Sequence, residues 1–312
     1  MSAGHVLVCW RSVPAVRGEP HQVTRGLGAL GLAVQQAGDD PAALADARAV
    51  VLVGAAGRLP AIAAALACAR PRPPVALWLN EPLPAAGALV ERLPCSAREL
   101  AKIVLRDPRA NDARSVERAL RGALRAGWLD VVAVQSEEQA ERARALGAEV
   151  LVTPWGYEPS LGRDLELVRD VPVLFLGALD TPRRRRLVRR LRRAGVPLEV
   201  AGSWRDPATW GEERTRLLNR TRILLDLHRR PGTLSGLRQV LGMANGALVV
   251  GEPIRRPEPF VPGEHLVTAP VDELPAAIAR LLADEPERAR LAAAGRRLVT
   301  QELRLERTLA PL

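Results

Sequence analysis

Aromatic residues are scarce in this chain: 3% of 312 positions, with one tyrosine and two phenylalanines beside six tryptophans. A core must therefore be built from Ala, Leu and Val, which a hydrophobic content of 47% permits. Lysine is almost absent too, since of 45 basic side chains all but Lys102 are arginine. The formal net charge is +10 and the pI about 11.0, a balance that ordinarily points to nucleic acid or an anionic membrane. Here the arginines are spread among Ala, Gly, Pro and Leu along the whole chain, as a compositional bias produces. No aromatics are interleaved with them to stack bases, so nucleic acid is not the expected partner. Peripheral contact of an arginine-rich helix with an anionic membrane face stays open. Three cysteines, Cys9, Cys68 and Cys95, have no C-x-x-C or metal-ligand spacing, which fits reduced thiols in a cytoplasm. No apolar run reaches the roughly 18 residues of a spanning helix. The first residues run straight into a strand without a signal-peptide pattern.

What is present is alternation. Short Val/Leu-rich runs at His5–Cys9, Ala49–Val53, Val75–Leu79, Asp130–Val134 and Glu149–Val152 predict strands. Between them the spacing predicts helices at His21–Ala37, Pro60–Ala69, Ser96–Arg106 and Asp112–Ala126, and one capped by Gln135–Glu138. The pattern lapses into a polar stretch over residues 157–170 and then restarts. Strands are expected at 171–176, 198–201, 223–227, 247–251 and 265–269, with helices at 182–194, 235–245, 271–283 and 285–302. The expected organisation is two doubly wound parallel-sheet domains, 1–156 and 171–303, joined by a linker at 157–170. A tail at 304–312 either packs back or is disordered.

The strand ends of the second half concentrate the chemistry. Gly177 and Gly202 directly follow strands, where a backbone without Cβ lets N–H groups approach an anion. Ser203 and Trp204 follow Gly202, and His228 leads Arg229 and Arg230 after another strand. Thr181-Pro182 opens a helix that begins with four arginines, Arg183 to Arg186. Leu187, Val188 and Leu191 give that helix one apolar side, so most of its arginines face water or a ligand. Arg183 and Arg184, nearest the strand end, are the candidates to clamp a diphosphate, because the planar guanidinium fork suits phosphate oxygens. The stretch SGLRQVLGMANGALVVGEP, residues 235–253, reads as a helix capped by Ser235 and stopped by Gly246, running straight into a buried strand. No Gly-x-Gly-x-x-Gly follows any strand, which argues against a nicotinamide-dependent dehydrogenase.

In their order these segments carry a resemblance: FLG at 175–177, a proline-led helix, EVAGSW, LLNRTRILLDLHR, SGLRQVLGMANGALVV, FVPGEHLV and AGRRLV. The second half is similar to the nucleotide-sugar-binding domain of group 1 glycosyltransferases with the GT-B fold, nearest to bacterial, spore-maturation-type members. The resemblance implies two Rossmann-like domains facing across a cleft and a UDP-, GDP- or dTDP-linked sugar as co-substrate. It implies no further cofactor, and no metal where arginines and a helix end neutralise the leaving diphosphate. Carried onto this sequence, Gly177, Arg183 and Arg184 face the diphosphate. Gly202, Ser203 and Trp204 face base and ribose, and Ser235, Gly236 and Arg238 face the phosphates.

One departure is plain. The two glutamates that the family places in this helix and eight residues earlier fall here on Leu241 and Thr233. Glu252, just past the next strand, is the nearest carboxylate for the ribose hydroxyls; otherwise the donor site is degraded and the protein a non-catalytic relative. On the first half, His21 follows the first strand and is the candidate base for an acceptor hydroxyl, its ordinary pKa lying near neutrality. Glu19 beside it, and Asn80 with Glu81 past another strand, are the acceptor-side candidates.

Overall fold

The computed structural model describes residues 4–10, 19–55, 59–85, 87, 89, 92–94, 96–105, 113–202 and 210–312, with backbone only for 19–21. The short apolar runs, joined by residues 34–37, become parallel strands that are buried at the sheet centre and partly exposed at its edges. In the first unit these are β1 (His5–Cys9), β2 (Val34–Ala37), β3 (Ala47–Val53), β4 (Val75–Trp78), β5 (Val131–Val134) and β6 (Val150–Val152). They form one sheet in the order β2-β1-β3-β4-β5-β6, parallel throughout. The helices α1 (Glu19–Ala29), α2 (Pro60–Cys68), α3 (Ala97–Val104), α4 (Ala113–Arg125) and α5 (Glu137–Arg144) make the connections. Polar side chains start them as the sequence anticipates: Ser136 accepts from the Gln139 N–H at 3.4 Å, and Ser96 from the Glu99 N–H at 3.2 Å. One core joins Leu7, Leu52 and Leu77 of the sheet to Ile62 and Leu66 of α2 and Val116 and Leu120 of α4.

The second unit contains β7 (Val171–Leu176), α6 (Pro182–Arg193), β8 (Leu198–Ala201), α7 (Gly211–Arg220) and β9 (Thr221–Asp226). After these come α8 (Leu237–Ala244), β10 (Leu248–Gly251), β11 (Val267–Thr268), α9 (Leu274–Ala283) and α10 (Glu285–Arg297). Its sheet runs β11-β10-β9-β7-β8. Numbered within its own unit, each sheet begins in the doubly wound order 2-1-3-4-5. Each therefore has a switch point between its first and third strands, the place where ligands sit beyond the carboxyl ends.

Four expectations change. The helix expected over 21–37 stops at Ala29, because the chain turns back through Leu27–Gly31, with Gly31 at φ +81. Residues 34–37 then pair with β1 as the edge strand. Second, α7 lies where no element was expected. Third, the polar stretch 157–170 is not a loose connector but part of the second unit. Asn219 takes the Leu165 N–H at 2.7 Å and gives to the Arg163 carbonyl at 2.8 Å. Asn245, fully buried, gives to the Leu161 carbonyl at 3.1 Å. Two buried amides in the core thus stitch down a segment with few apolar residues of its own.

Fourth, the units divide at 154/155 and again at 304/305, so residues 305–312 belong with 1–154. The short helix α11 (Leu305–Leu309) packs on α1 at Gly26. A Cβ there would stand 2.6 Å from Leu309 Cδ1.

Candidate functional site

The switch point of the second unit lies between β7 and β9. Past β7 comes Gly177, whose N–H bonds the Ala201 carbonyl at 2.8 Å. A Cβ at Gly202, with φ +102, would stand 2.8 Å from the Gly177 nitrogen, so the two strand ends meet backbone to backbone. The last residue of β9 is Asp226, 1% exposed. Arg238, from the first turn of α8, ion-pairs with its Oδ1 and lies 3.4 Å by Nε from the Leu176 carbonyl, closing the gap between β9 and β7. Gln239 donates to Asp226 Oδ2 at 2.6 Å. His228 Nε2 lies 3.3 Å from that oxygen, outside good hydrogen-bond geometry, and its buried Nδ1 has no partner among the described residues. Burial would raise the Asp226 pKa, but Arg238 and His228 outweigh it and hold the carboxylate well below its ordinary range.

The arginine run divides by helical angle. Thr181 caps α6 by accepting the Arg184 N–H at 3.2 Å. Arg185 and Arg186 face outward, whereas Arg183 and Arg184 turn in. Arg183 forks onto Glu252, Nη1 to Oε1 at 2.9 Å, with Nη2 on the other oxygen. Glu252 Oε1 also accepts the His228 N–H at 2.9 Å.

Arg184 is buried and gives its N–H groups to the carbonyls of Leu227 at 3.0 Å and Ala178 at 3.3 Å. No carboxylate ion-pairs with it among the described residues. Burial, then repulsion from Arg238 and Arg229, pushes its pKa down to about 9. Its guanidinium and that of Arg238 lie over the Phe175 ring, 5.4 and 5.5 Å from the centroid. Of the three inward arginines, two are neutralised and Arg184 is not.

The start of α8 differs from expectation. Gly236, not Ser235, is the N-cap, at φ +61 and ψ −68, and no side chain caps the helix. The Leu237 N–H closes a tight turn onto the Ser235 carbonyl at 2.7 Å, a conformation that glycine adopts freely. A Cβ on Gly236 would lie 2.0 Å from Trp155 Cδ1. Leu241 is buried, and the Thr233 hydroxyl is turned onto the Arg230 carbonyl at 2.8 Å. Glu252, nominated for a ribose, is 3% exposed and engaged by Arg183; binding a diol requires it to leave that pair.

The structure thus gathers Gly177, Arg183, Arg184, Gly202, His228, Gly236, Arg238 and Glu252 around the ends of β7, β9 and β10, with Ser235 half-buried beside them. Ser203 and Trp204 lie outside the described residues, as do the side chains of Glu19 and His21, whose backbone opens α1. Asn80 and Glu81 follow β4, both half-buried. Sequence reasoning missed Asp226 and Gln239. A signal existed, since Asp226 is the one charge ending the apolar run Ile223–Leu225. In the first unit, burial and then Asp39 push the Cys9 thiol up to about 12, so it stays protonated and inert. Among the described residues no group of three His, Cys, Asp or Glu is placed to hold a metal ion.

Comparison with known proteins supports the fold and part of the sequence. Residues 183–312 match the family model described as glycosyl transferase-like. No curated protein sequence matches the chain. Anabaena HepE, crystallised with UDP and glucose, superposes with a TM-score of 0.64 at 12% identity over 99% of this chain and 98% of its own. Sucrose-phosphate synthase from Thermosynechococcus elongatus gives 0.63 at 13% identity, over 97% and 96%. TarM of S. aureus gives 0.57 at 9% identity over 84% of this chain, which spans about half of TarM (53%). Two Rossmann-like units across the whole chain and a glycosyl transferase-like sequence in its second half bear out the resemblance to group 1 glycosyltransferases of the GT-B fold.

Proposed function

We propose that this protein transfers a sugar from a UDP-, GDP- or dTDP-linked donor to a hydroxyl or other nucleophile of a small-molecule, lipid or glycan acceptor. The observation that carries this reading is Arg184. A guanidinium does not give up its proton in a protein, so Arg184 stands at the switch point as a buried cation with Arg238 beside it over the same ring and no carboxylate ion-paired to it among the described residues. A diphosphate supplies the missing charge. Arg184 and Arg238 would hold its oxygens, with Gly177 and the turn at Ser235-Gly236 allowing close backbone approach. Gly202, Ser203 and Trp204 would meet base and ribose. Neutralisation by arginines lets the diphosphate leave without a metal. On the acceptor side His21 would take the hydroxyl proton, with Glu19, Asn80 and Glu81 near the acceptor. The structure of HepE with UDP and glucose is consistent with this choice of donor.

A second reading, a non-catalytic relative that binds nucleotide or glycan, is favoured by Glu252 being held in an ion pair while Leu241 and Thr233 offer no carboxylate. Titration calorimetry with UDP, GDP and dTDP, followed by mass spectrometry of donor-by-acceptor mixtures, separates the two. Binding with sugar transfer supports the enzyme. Binding without transfer or donor hydrolysis supports the second reading, and no binding of any nucleoside diphosphate removes the enzyme and leaves the second reading only as a glycan binder.

A further inference from the structure

One buried titratable side chain at the switch point has no part in the transfer proposed above. His228, just past β9, is 2% exposed, and its ring sits among charges rather than in an apolar pocket. Nε2 lies 3.3 Å from Asp226 Oδ2, an oxygen that Gln239 already occupies at 2.6 Å. Nδ1 is buried and has no partner among the described residues. A neutral imidazole donates at one nitrogen and accepts at the other, whereas a charged one donates at both. With Nε2–H turned to Asp226, Nδ1 lacks a donor if the ring is neutral and an acceptor if it is charged.

The charged groups around this ring come from four elements. Asp226 ends β9, and Arg238 of α8 is ion-paired to its other oxygen. From α6, Arg183 Nη1 donates to the His228 carbonyl at 2.8 Å, and Arg184 Nε to the Leu227 carbonyl at 3.0 Å. Glu252, past β10, takes the His228 N–H at 2.9 Å. Arg229 and Arg230 follow along the loop, the first paired with Asp180 at 2.6 Å. Within the connected cluster Arg183 cancels Glu252 and Arg238 cancels Asp226, which leaves Arg184 as the excess positive charge. The diphosphate of a nucleotide-linked sugar is a diester with two negative charges. The cluster is one cation short of it.

Given the sugar-nucleotide reading of this site, on which this rests, we propose that His228 supplies the second cation, taking up a proton as the donor binds. An imidazole ordinarily titrates near pH 6.5, about where such a proton is available. A neighbouring diphosphate favours the charged ring, as any nearby anion does. Nε2–H then serves Asp226, and a phosphate oxygen is the acceptor for Nδ1–H. By linkage the protonated protein holds the donor more tightly, so affinity falls as pH rises through the imidazole range. Arg184 and Arg238 keep their charge throughout and cannot produce that dependence. Asp226, held well below the ordinary carboxylate range, titrates outside that window.

The test is titration calorimetry of the full chain with UDP-, GDP- and dTDP-glucose between about pH 6 and 8, around the ordinary imidazole value. A diester diphosphate does not itself titrate there. Repeating the measurement near neutrality in HEPES and in Tris, whose ionisation enthalpies differ, reads proton uptake from the difference in heat. The expected result is uptake of up to about one proton per donor bound, with affinity falling about threefold or more across the range. His228→Asn should abolish the uptake and bind at every pH with the affinity that wild type shows at the alkaline end. An unchanged unfolding midpoint shows that it folds. The chain has four histidines, so His5→Gln/His21→Gln/His265→Gln leaves His228 alone and should retain the uptake. Donor binding without proton uptake, or uptake that survives in His228→Asn or is lost in the triple variant, overturns the proposal and leaves the donor site standing. No binding of any of the three donors at any pH removes the donor reading and this proposal with it.

Discussion

Arg183 and Glu252 form a two-pronged ion pair, and the pair ties three elements together. The arginine comes from α6 and the carboxylate from the end of β10. Arg183 Nη1 donates to the His228 carbonyl at 2.8 Å past β9, while Glu252 Oε1 takes the His228 N–H. With Glu252 3% exposed, removing the arginine strands a buried charge. Arg183→Ala should lower the unfolding free energy by about 3 kcal/mol in urea titration. The double variant Arg183→Met/Glu252→Leu should recover most of it. A change under about 1 kcal/mol in the single variant would mean that the pair contributes as little as a surface one.

The same pair withholds Arg183 from any ligand. Glu252→Gln removes its counter-charge and should tighten UDP binding several-fold by calorimetry. Weaker binding would instead assign Glu252 to the nucleotide, as a ribose ligand.

Arg184 separates stability from binding. Since its charge is held against burial and like-charged neighbours, Arg184→Met should cost the ligand-free protein little, under about 1 kcal/mol. UDP affinity should fall at least tenfold, as loss of a buried cation facing phosphate implies. Large destabilisation with unchanged affinity would make Arg184 a structural group.

Gly236→Ala tests the turn that opens α8. The new Cβ meets Trp155, and φ +61 strains any L-residue, so the change should cost about 2 kcal/mol or more. Because the turn borders the site, nucleotide binding should weaken too. Thermal unfolding and calorimetry on one preparation read both, and wild-type values in both would place the turn outside the site.

Asp226 gives a pH dependence of known sign. Its folded-state pKa is depressed, so the stability it contributes is fully present above the ordinary carboxylate pKa of about 4. That stability is lost as pH falls towards the folded value. Asp226→Asn should therefore be less stable than wild type at neutral pH, and the gap should narrow below about pH 4. A gap that is constant or widens with acid would contradict the ion pair with Arg238.

The alternation of apolar runs and capped helices made the two-unit architecture legible, and glycines after strands marked the edge where α6 and α8 begin. Strand order was not legible, because parallel pairing joins residues far apart in sequence and leaves no local periodicity. Residues 34–37 show the limit: Val-Gln-Gln-Ala has no strand pattern and becomes one only by pairing with β1. Arg183 and Arg184 were visible as a pair but not their difference, which depends on Glu252 arriving 69 positions after Arg183. Asp226 and Gln239 were hidden for the same reason. Ser235 looked like the cap by residue type, and the close approach of Trp155 to the turn gives that position to Gly236.

The return of α11 to the first unit has a consequence for biosynthesis. Residues 155–304 form one uninterrupted stretch, complete as soon as they leave the ribosome. The half made first waits for Leu305 and Leu309 to cover Gly26. It is therefore finished last, inverting the usual vectorial order in which amino-terminal domains fold ahead of those behind them. Loss of residues 305–312 would therefore damage not the unit that directly precedes them in the chain but the one translated before it.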